Sequence, residues 1–439
     1  MKNTRDHIEQ APYLNVEGLH RDLGKVIIVA PHPDDESLGC GGLIAYLTAQ
    51  NEEVYVLFLT NGDASHPNST KFSPEDLGKL RKSEAINACK ILGVKEENLI
   101  FLDAGDGKLA EKFKNHDSVI NELKELFQQK EPDTIFAPWR RDHHIDHVAA
   151  YSLVDKAAEK MAITIAEYPV WLWKKGEPAD WPAEDEVLAF RLQIDSVKEI
   201  KKAAILAHIS QTTNLIDDDP EGFILTEDLM QPFIGNYEYF FFPAESKPAV
   251  SETYFEKLYA NNDDPWDFET SSYEQEKYHK TIASVSVKSF ENALEIGCSN
   301  GVFTKLLAPK CKNLLAVDLS QEALKSAIKR CASFSQCKFM HWDISNGLPG
   351  SNYDAIFFSE VGYYFDLNSL GKIFNDITNS LQPGGMLVMV HWTAYVRSYP
   401  LTGQQVHDNF RKNYSNRFKL LNSERAELYI LEVWEKTEK

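Results

Sequence analysis

Val26-Ile27-Ile28-Val29-Ala30-Pro31-His32-Pro33-Asp34-Asp35-Glu36 runs five apolar residues straight into one histidine and three acids. A short apolar run closed by proline reads as a buried strand. The polar run that follows it sits where open α/β sheets gather ligands, just beyond the carboxyl end of a strand. Working outward, residues 39–50 have helical spacing and 54–60 read as a second strand. Residues 77–92 read as a helix that stops at Gly93, and 99–102 and 134–137 as further strands. Strands alternating with helices predict a doubly wound α/β unit with a parallel sheet and right-handed crossovers.

The strand at 134–137 is followed by Pro138-Trp139-Arg140-Arg141-Asp142-His143-His144-Ile145-Asp146-His147. Histidines at i and i+3 on a helical turn share one face. A histidine and an aspartate from the first segment, with one histidine from the second, would make three N/O ligands and leave a fourth position for water. That is the pattern of catalytic rather than structural zinc. The same ligands could hold another divalent first-row metal. His143 reads as a bystander, and Cys40, within Gly39-Cys40-Gly41-Gly42, as a residue chosen for small size.

Residues 25–242 resemble the PIG-L (LmbE-like) deacetylases, which remove acyl groups from amino sugars and related amines. The resemblance rests on His32 to Glu36, Thr60-Asn61-Gly62, Arg81 with Glu84 ahead of Leu92-Gly93-Val94, Asp106-Gly107-Lys108-Leu109, and His144 to His147. It implies that His32, Asp35 and His147 bind zinc and that Asp34 is the general base. It further implies that His144 polarises the carbonyl with support from Asp146, and that Arg81 and Asp106 contact substrate.

Around residues 243–251 the chain turns polar and proline-bearing, as linkers do. Domains are therefore expected at 1–246 and 250–439. A second alternation follows, with strands at 293–296, 314–317, 338–341, 355–358 and 387–390 and a closing strand at 428–434. This predicts a second doubly wound α/β unit. Leu294-Glu295-Ile296-Gly297-Cys298-Ser299-Asn300-Gly301 ends a strand and opens a helix, where glycines let backbone approach a ligand. Asp318 closes the next strand, where a carboxylate can accept both ribose hydroxyls. Trp342 and Asp343 close the third, at the adenine position. A nicotinamide site would prefer G-x-G-x-x-G, but residue 299 is Ser and 302 is Val, which favours S-adenosylmethionine.

Residues 254–434 resemble the nodulation-type (NodS-like) N-methyltransferases of the class I, Rossmann-like fold, which methylate the amine of a deacetylated glucosamine unit. The matching residues include Asp264-Pro265-Trp266, Ser272-Tyr273-Glu274, Lys277-Tyr278, Leu294 to Cys298, Phe303-Thr304, Ala316-Val317-Asp318, Ser359-Glu360-Val361, Tyr363-Tyr364 and His391-Trp392. The resemblance implies that Glu295, Gly297, Cys298, Ser299, Gly301, Asp318, Trp342 and Asp343 form the cofactor site. Trp266, Tyr273 and Tyr278 would cap the cofactor or the acceptor, and Glu360, Tyr364 and His391 would hold the acceptor nitrogen.

Composition narrows the partners. With 46 basic and 66 acidic residues, the net charge of −20 repels phosphate backbones and anionic lipid, so neither nucleic acid nor membrane is expected. Six cysteines without a C-x-x-C pair read as reduced thiols, and Met1 to Gln10 lacks a signal-peptide core, so a cytoplasmic location is expected. The two resemblances fit one sequence of events: a deacetylase exposes an amine and an N-methyltransferase consumes it. Two alternatives stay open, that the halves act on different small molecules, or that the methyl acceptor is a hydroxyl or an unrelated amine.

Overall fold

The computed structural model describes residues 4–104, 106–107, 109, 117–183, 186–244, 247–285 and 289–437. Lys108 of the Asp106-Gly107-Lys108-Leu109 run and residues 245–246 of the expected linker lie outside them. The chain divides into two compact units, Met1–Ala244 and Glu245–Lys439.

The first unit is built on a seven-stranded sheet: β1 (Val26–Ala30), β2 (Val54–Thr60), β3 (Leu99–Ala104), β4 (Thr134–Pro138), β5 (Thr164–Tyr168), β6 (Val187–Gln193) and β7 (Tyr237–Pro243), in the order β3-β2-β1-β4-β5-β7-β6. All five residues of β1 are buried, as their unbroken apolarity requires. β1 pairs in parallel with β2 on one side and β4 on the other. The winding therefore reverses between β1 and β4, and the crevice for a ligand opens beyond their carboxyl ends. Both candidate ligand segments start there.

The sheet is mixed, not wholly parallel as the alternation suggested, because β7 runs antiparallel to both β5 and β6. The helix expected at 39–50 begins four residues earlier and spans Asp35–Ala49, which puts Asp35 in its first turn. This helix is pressed so closely onto the sheet that a Cβ on Gly39 would lie 2.2 Å from the Tyr168 ring. Small size accounts for the glycine-rich run around Cys40, which is itself buried.

The second unit repeats the layout: β8 (Phe290–Ile296), β9 (Cys311–Asp318), β10 (Cys337–His341), β11 (Tyr353–Ser359), β12 (Leu381–Trp392), β13 (Phe418–Arg425) and β14 (Tyr429–Lys436), in the order β10-β9-β8-β11-β12-β14-β13. Here too the far edge is antiparallel, since β14 pairs antiparallel with β12 and β13. The winding reverses between β8 and β11, which pair through Phe358 and Ile296. The glycine loop after β8 and Glu360 after β11 thus emerge side by side.

Candidate active sites

In the first unit, His32, Asp35 and His147 converge. Asp35 Oδ2 lies 3.2 Å from His32 Nδ1 and 3.2 Å from His147 Nε2. His144 joins them, its ring centroid 4.9 Å from His32 and 5.0 Å from His147. Among the described residues, two triads bring ligand atoms within 4.8 Å of one another: His32 with His144 and His147, and His32 with Asp106 and Asp146. Burial works against the charge on His147, yet Asp35 and Asp142 push it up to about 9. A buried pocket this rich in carboxylates, which must borrow protons for its histidines, fits a bound cation.

Asp34 stands beside this group with φ at +140°, a strained conformation for a residue with a Cβ. Its backbone N–H donates to Glu36 Oε2 at 3.0 Å, and Glu36 Oε1 lies 3.1 Å from His208 Nε2. Arg81 is buried, and its guanidinium donates to Asp34 Oδ2, Pro33 O and Gly62 O at 3.0, 2.7 and 3.0 Å. Arg81 therefore holds Asp34 in place, a positioning contact that the expected substrate contact did not include. Burial raises the Asp34 carboxyl to about 6 against the pull of Arg81.

Asp106 is also tied inward, with Oδ1 3.1 Å from His32 Nε2 and Oδ2 accepting the Ala64 N–H. Asp146 Oδ2 accepts the Gly107 N–H at 2.7 Å, and its Oδ1 is buried without a hydrogen-bond partner among the described residues. His144 caps its helix, its Nδ1 accepting the Asp146 N–H at 3.3 Å. Burial and the neighbouring His147 lower its pKa to about 4, so the ring is neutral near pH 7. With Nδ1 accepting, the proton sits on Nε2. His143 is half-exposed and pairs with Asp180, outside the group.

The sequence reading passed over Asp142. Its carboxylate is buried, lies 2.7 Å from His147 Nδ1 and accepts the backbone N–H groups of Val170, Trp171 and Leu172. Trp171 in turn stacks near His144 at 6.3 Å and meets Phe223 edge to face. Asp142 lay within the quoted ligand segment, and its place five residues before His147 was the available signal.

In the second unit, Gly297, Ser299 and Gly301 all have positive φ, which folds the loop after β8 into a tight cradle. A Cβ on Gly297 would lie 2.2 Å from Val361. Ser299 donates its N–H to Asp318 Oδ2 at 2.8 Å, and Ser320 donates to Oδ1 at 2.8 Å, leaving lone pairs on both oxygens. Tyr259, which the sequence reading missed, donates to Ser299 Oγ. Glu295 is buried with Oε2 lacking a hydrogen-bond partner among the described residues, and burial pushes it up to about 8. Cys298 packs among Ala316, Leu324 and Ala327, so its side chain is filler. Asp343 accepts the Ser345 N–H, and Trp342 Nε1 donates to Gly347 O, which fixes the turn beyond β10. This donor set, backbone cradle plus strand-end carboxylates, fits a nucleoside-bearing cofactor.

The acceptor candidates separate. Trp266 leans on Tyr259 and Phe268, and Tyr364 OH lies 3.3 Å from Tyr399 OH. Tyr278 is a core residue packed against Phe303, not a cap. His391 is buried with both ring nitrogens in use: Nε2 accepts the Gly362 N–H and Nδ1 faces His407 Nε2 at 3.2 Å. It cannot also hold an acceptor. Glu360 and Tyr273 meet around Lys277.

The PIG-L family, described as GlcNAc-PI de-N-acetylase, matches residues 27–158, and the NodS family, nodulation protein S, matches residues 249–394. Nodulation protein S of Bradyrhizobium diazoefficiens is 31% identical over 128 residues, covering 29% of this chain and 61% of that relative. The chain thus spans about three-fifths of the length of that curated relative. The 1D-myo-inositol 2-acetamido-2-deoxy-alpha-D-glucopyranoside deacetylase of Corynebacterium diphtheriae is 26% identical over 226 residues, covering 43% of this chain and 76% of that relative. A solved N-methyltransferase NodS of Bradyrhizobium japonicum, in complex with S-adenosyl-L-homocysteine, is 25% identical with a TM-score of 0.39, covering 43% of this chain and 98% of that one. The chain therefore joins a domain of the PIG-L deacetylase family to a domain of the NodS methyltransferase family.

Proposed function

We propose that the chain is a bifunctional enzyme that N-deacylates an amino-sugar-containing small molecule and then N-methylates the amine so exposed. The carrying observation is that one chain holds both a His32–Asp35–His147 convergence and a Gly297–Asp318 cradle, whose family chemistries meet at a free amine.

In the first unit, His32, Asp35 and His147 would hold a divalent ion, with zinc suited to this N/O set. Bound there, it would lower the pKa of a coordinated water toward about 7. Asp34, fixed by Arg81 and Glu36 and with its carboxyl raised to about 6 by burial, would serve as the proton acceptor for an attacking water. Neutral His144 presents Nε2–H to the amide carbonyl, its tautomer set by the Asp146 N–H.

In the second unit, S-adenosylmethionine would be held by the 297–301 cradle, with Asp318 on the ribose hydroxyls and Trp342 and Asp343 at the adenine end. It would supply an electrophilic methyl group to a positioned nitrogen.

The test is mass spectrometry of N-acetylated amino sugars incubated with the protein and zinc, with and without S-adenosylmethionine. The expected result is loss of the acetyl group in both, followed by gain of methyl only with the cofactor. An unchanged panel in both arms would overturn the reading.

A further inference from the structure

Glu360, the first residue beyond β11, has φ at +57° and a carboxylate that is fully taken. Oε1 receives Lys277 Nζ at 2.6 Å, and Oε2 receives Tyr363 OH at 2.7 Å and the Trp392 N–H at 2.9 Å. Lys277 is only 2% exposed, and its ammonium also reaches Glu274 at 2.9 Å. Glu274 is itself 8% exposed. Buried Glu274 and half-buried Glu360 therefore share one ammonium, which leaves an excess of one negative charge in a cluster largely shielded from water. Uncompensated buried charge is costly, and a second cation would relieve it.

Tyr273, next to Glu274, gives an independent sign of a missing ligand. Its hydroxyl is buried with no hydrogen-bond partner among the described residues. Its ring stands edge-on to Trp392 at 5.6 Å and to Tyr429 at 6.1 Å. A buried orphan hydroxyl in an aromatic, anionic setting suits an ammonium, which can donate to the hydroxyl and to the carboxylate and face the rings. The cluster lies beside the cofactor cradle, since Gly297 abuts Val361 and Glu360 sits next to it. Asn300 of the cradle donates to Asp264 Oδ1 at 3.1 Å, on the segment that leads into the helix Ser272–Ser284.

We propose that Glu274 and Tyr273 receive the acceptor as its ammonium form and that Glu274 takes the proton which frees the nitrogen lone pair. The inference rests on the N-methyltransferase reading and names the residues of its acceptor site. In the step, one N–H bond of R–NH3+ breaks and an O–H bond forms on Glu274, while the electron pair stays on nitrogen. The proton passes to solvent between turnovers. Burial lifts Glu274 above the usual carboxylate range against the pull of Lys277, and Glu360 adds to the rise. Glu360 is saturated by its three donors and is a positioning residue.

The full chain saturated with S-adenosylhomocysteine is titrated calorimetrically with D-glucosamine, as wild type, Glu274→Gln and Tyr273→Phe. The first unit is identical in all three, so any difference belongs to this cluster. Loss of a charge-assisted partner should weaken glucosamine binding about tenfold in Glu274→Gln, and by a few-fold in Tyr273→Phe, with S-adenosylhomocysteine affinity unchanged. The kcat/KM of methylation in Glu274→Gln should recover toward wild type above the pKa of the amine, where the acceptor arrives already neutral. Unchanged glucosamine affinity in both variants, or a loss of equal size at every pH, overturns the proposal. Should Glu274→Gln fail to bind S-adenosylhomocysteine, Tyr273→Phe decides alone, because it removes only the orphan oxygen. A wild-type chain that binds the cofactor but methylates no amine of a sugar panel instead overturns the N-methyltransferase reading beneath it.

Discussion

Asp142 Oδ2 lies 2.7 Å from His147 Nδ1, and the same carboxylate gathers the backbone N–H groups of Val170, Trp171 and Leu172. A carboxylate only accepts, so a proton of His147 is held on Nδ1, and Nε2, 3.2 Å from Asp35, is the atom that would face a bound ion. Such outer partners typically account for about 10–100-fold in metal affinity. Asp142→Ala should lower zinc affinity by that order and loosen Trp171 beside His144. Competition with a chelating dye measures the first effect. Unaltered affinity would reduce Asp142 to a loop anchor.

His144 separates two ligand sets. The geometry allows His32, His144 and His147 as a metal triad, whereas the Nε2–H tautomer of His144 makes it a hydrogen-bond donor. His144→Ala should therefore keep close to one metal per chain and lose deacylation. Alanine at His32, Asp35 or His147 should lose the metal. Asp34→Asn should retain it and slow deacylation about 10²–10⁴-fold, as expected for loss of a general base. Metal analysis of the purified variants checks all five. A metal-free His144→Ala would move that residue into the ligand set.

Much of this was legible in sequence because strand-end loops carry dense polar runs. The two polar segments meet as their positions at strand ends suggest, bringing together His32, Asp35 and His147, the set the resemblance implied, and β1, β2 and β4 are largely apolar runs. The polar edge strand β13 was not legible, since Phe-Lys-Leu-Leu-Asn-Ser-Glu-Arg is largely exposed and carries no clean alternation. Nor was the antiparallel turn of β7, which enters between β5 and β6 after a long excursion. Site residues that act through others were the least visible. His208 reaches Glu36 across 172 positions and Glu360 reaches Lys277 across 83, and no local pattern encodes such meetings. Arg81 and His391 looked functional by motif, but the fold already engages the two terminal nitrogens of Arg81 at Gly62, Pro33 and Asp34 and both ring nitrogens of His391.

Gly362, His391, His407 and Glu432 form a one-way chain. The Gly362 N–H can only donate, so His391 Nε2 accepts and Nδ1–H donates to His407 Nε2, leaving His407 Nδ1–H for Glu432 at 2.8 Å. Arg411 completes the far end at Glu432, with Asp408 beside it. Burial depresses both histidines, so both stay neutral when folded. The unfolded chain binds protons at these residues below about pH 6.5, and the folded chain binds them less readily. The contribution of this hydrogen-bonded chain to stability should thus be full above about pH 6.5 and fall as pH drops below it. Nitrogen-15 NMR of labelled histidines should show two Nδ1–H tautomers, both neutral near pH 7. A charged His391 at neutral pH would contradict the assignment.

The order of events gives the sharpest test of the single-substrate reading. An amide nitrogen delocalises its lone pair into the carbonyl and is a poor nucleophile, so methylation should wait for deacylation. With Asp34→Asn, an N-acetylated amino sugar should receive no methyl group, while the matching free amine should still be methylated by the same protein. Disabling the second unit should leave deacylation intact and stop the product at the amine. Asp318→Ala does this by removing the carboxylate that would accept ribose hydroxyls and that already anchors the Ser299 N–H. Gly297→Val does it by forcing a side chain into a position where even a Cβ would lie 2.2 Å from Val361. Mass spectrometry of the four reactions reads the outcome directly. A methylated, still acetylated product from Asp34→Asn would place the acceptor at a hydroxyl or another amine, and the two units would then serve separate reactions despite their shared chain.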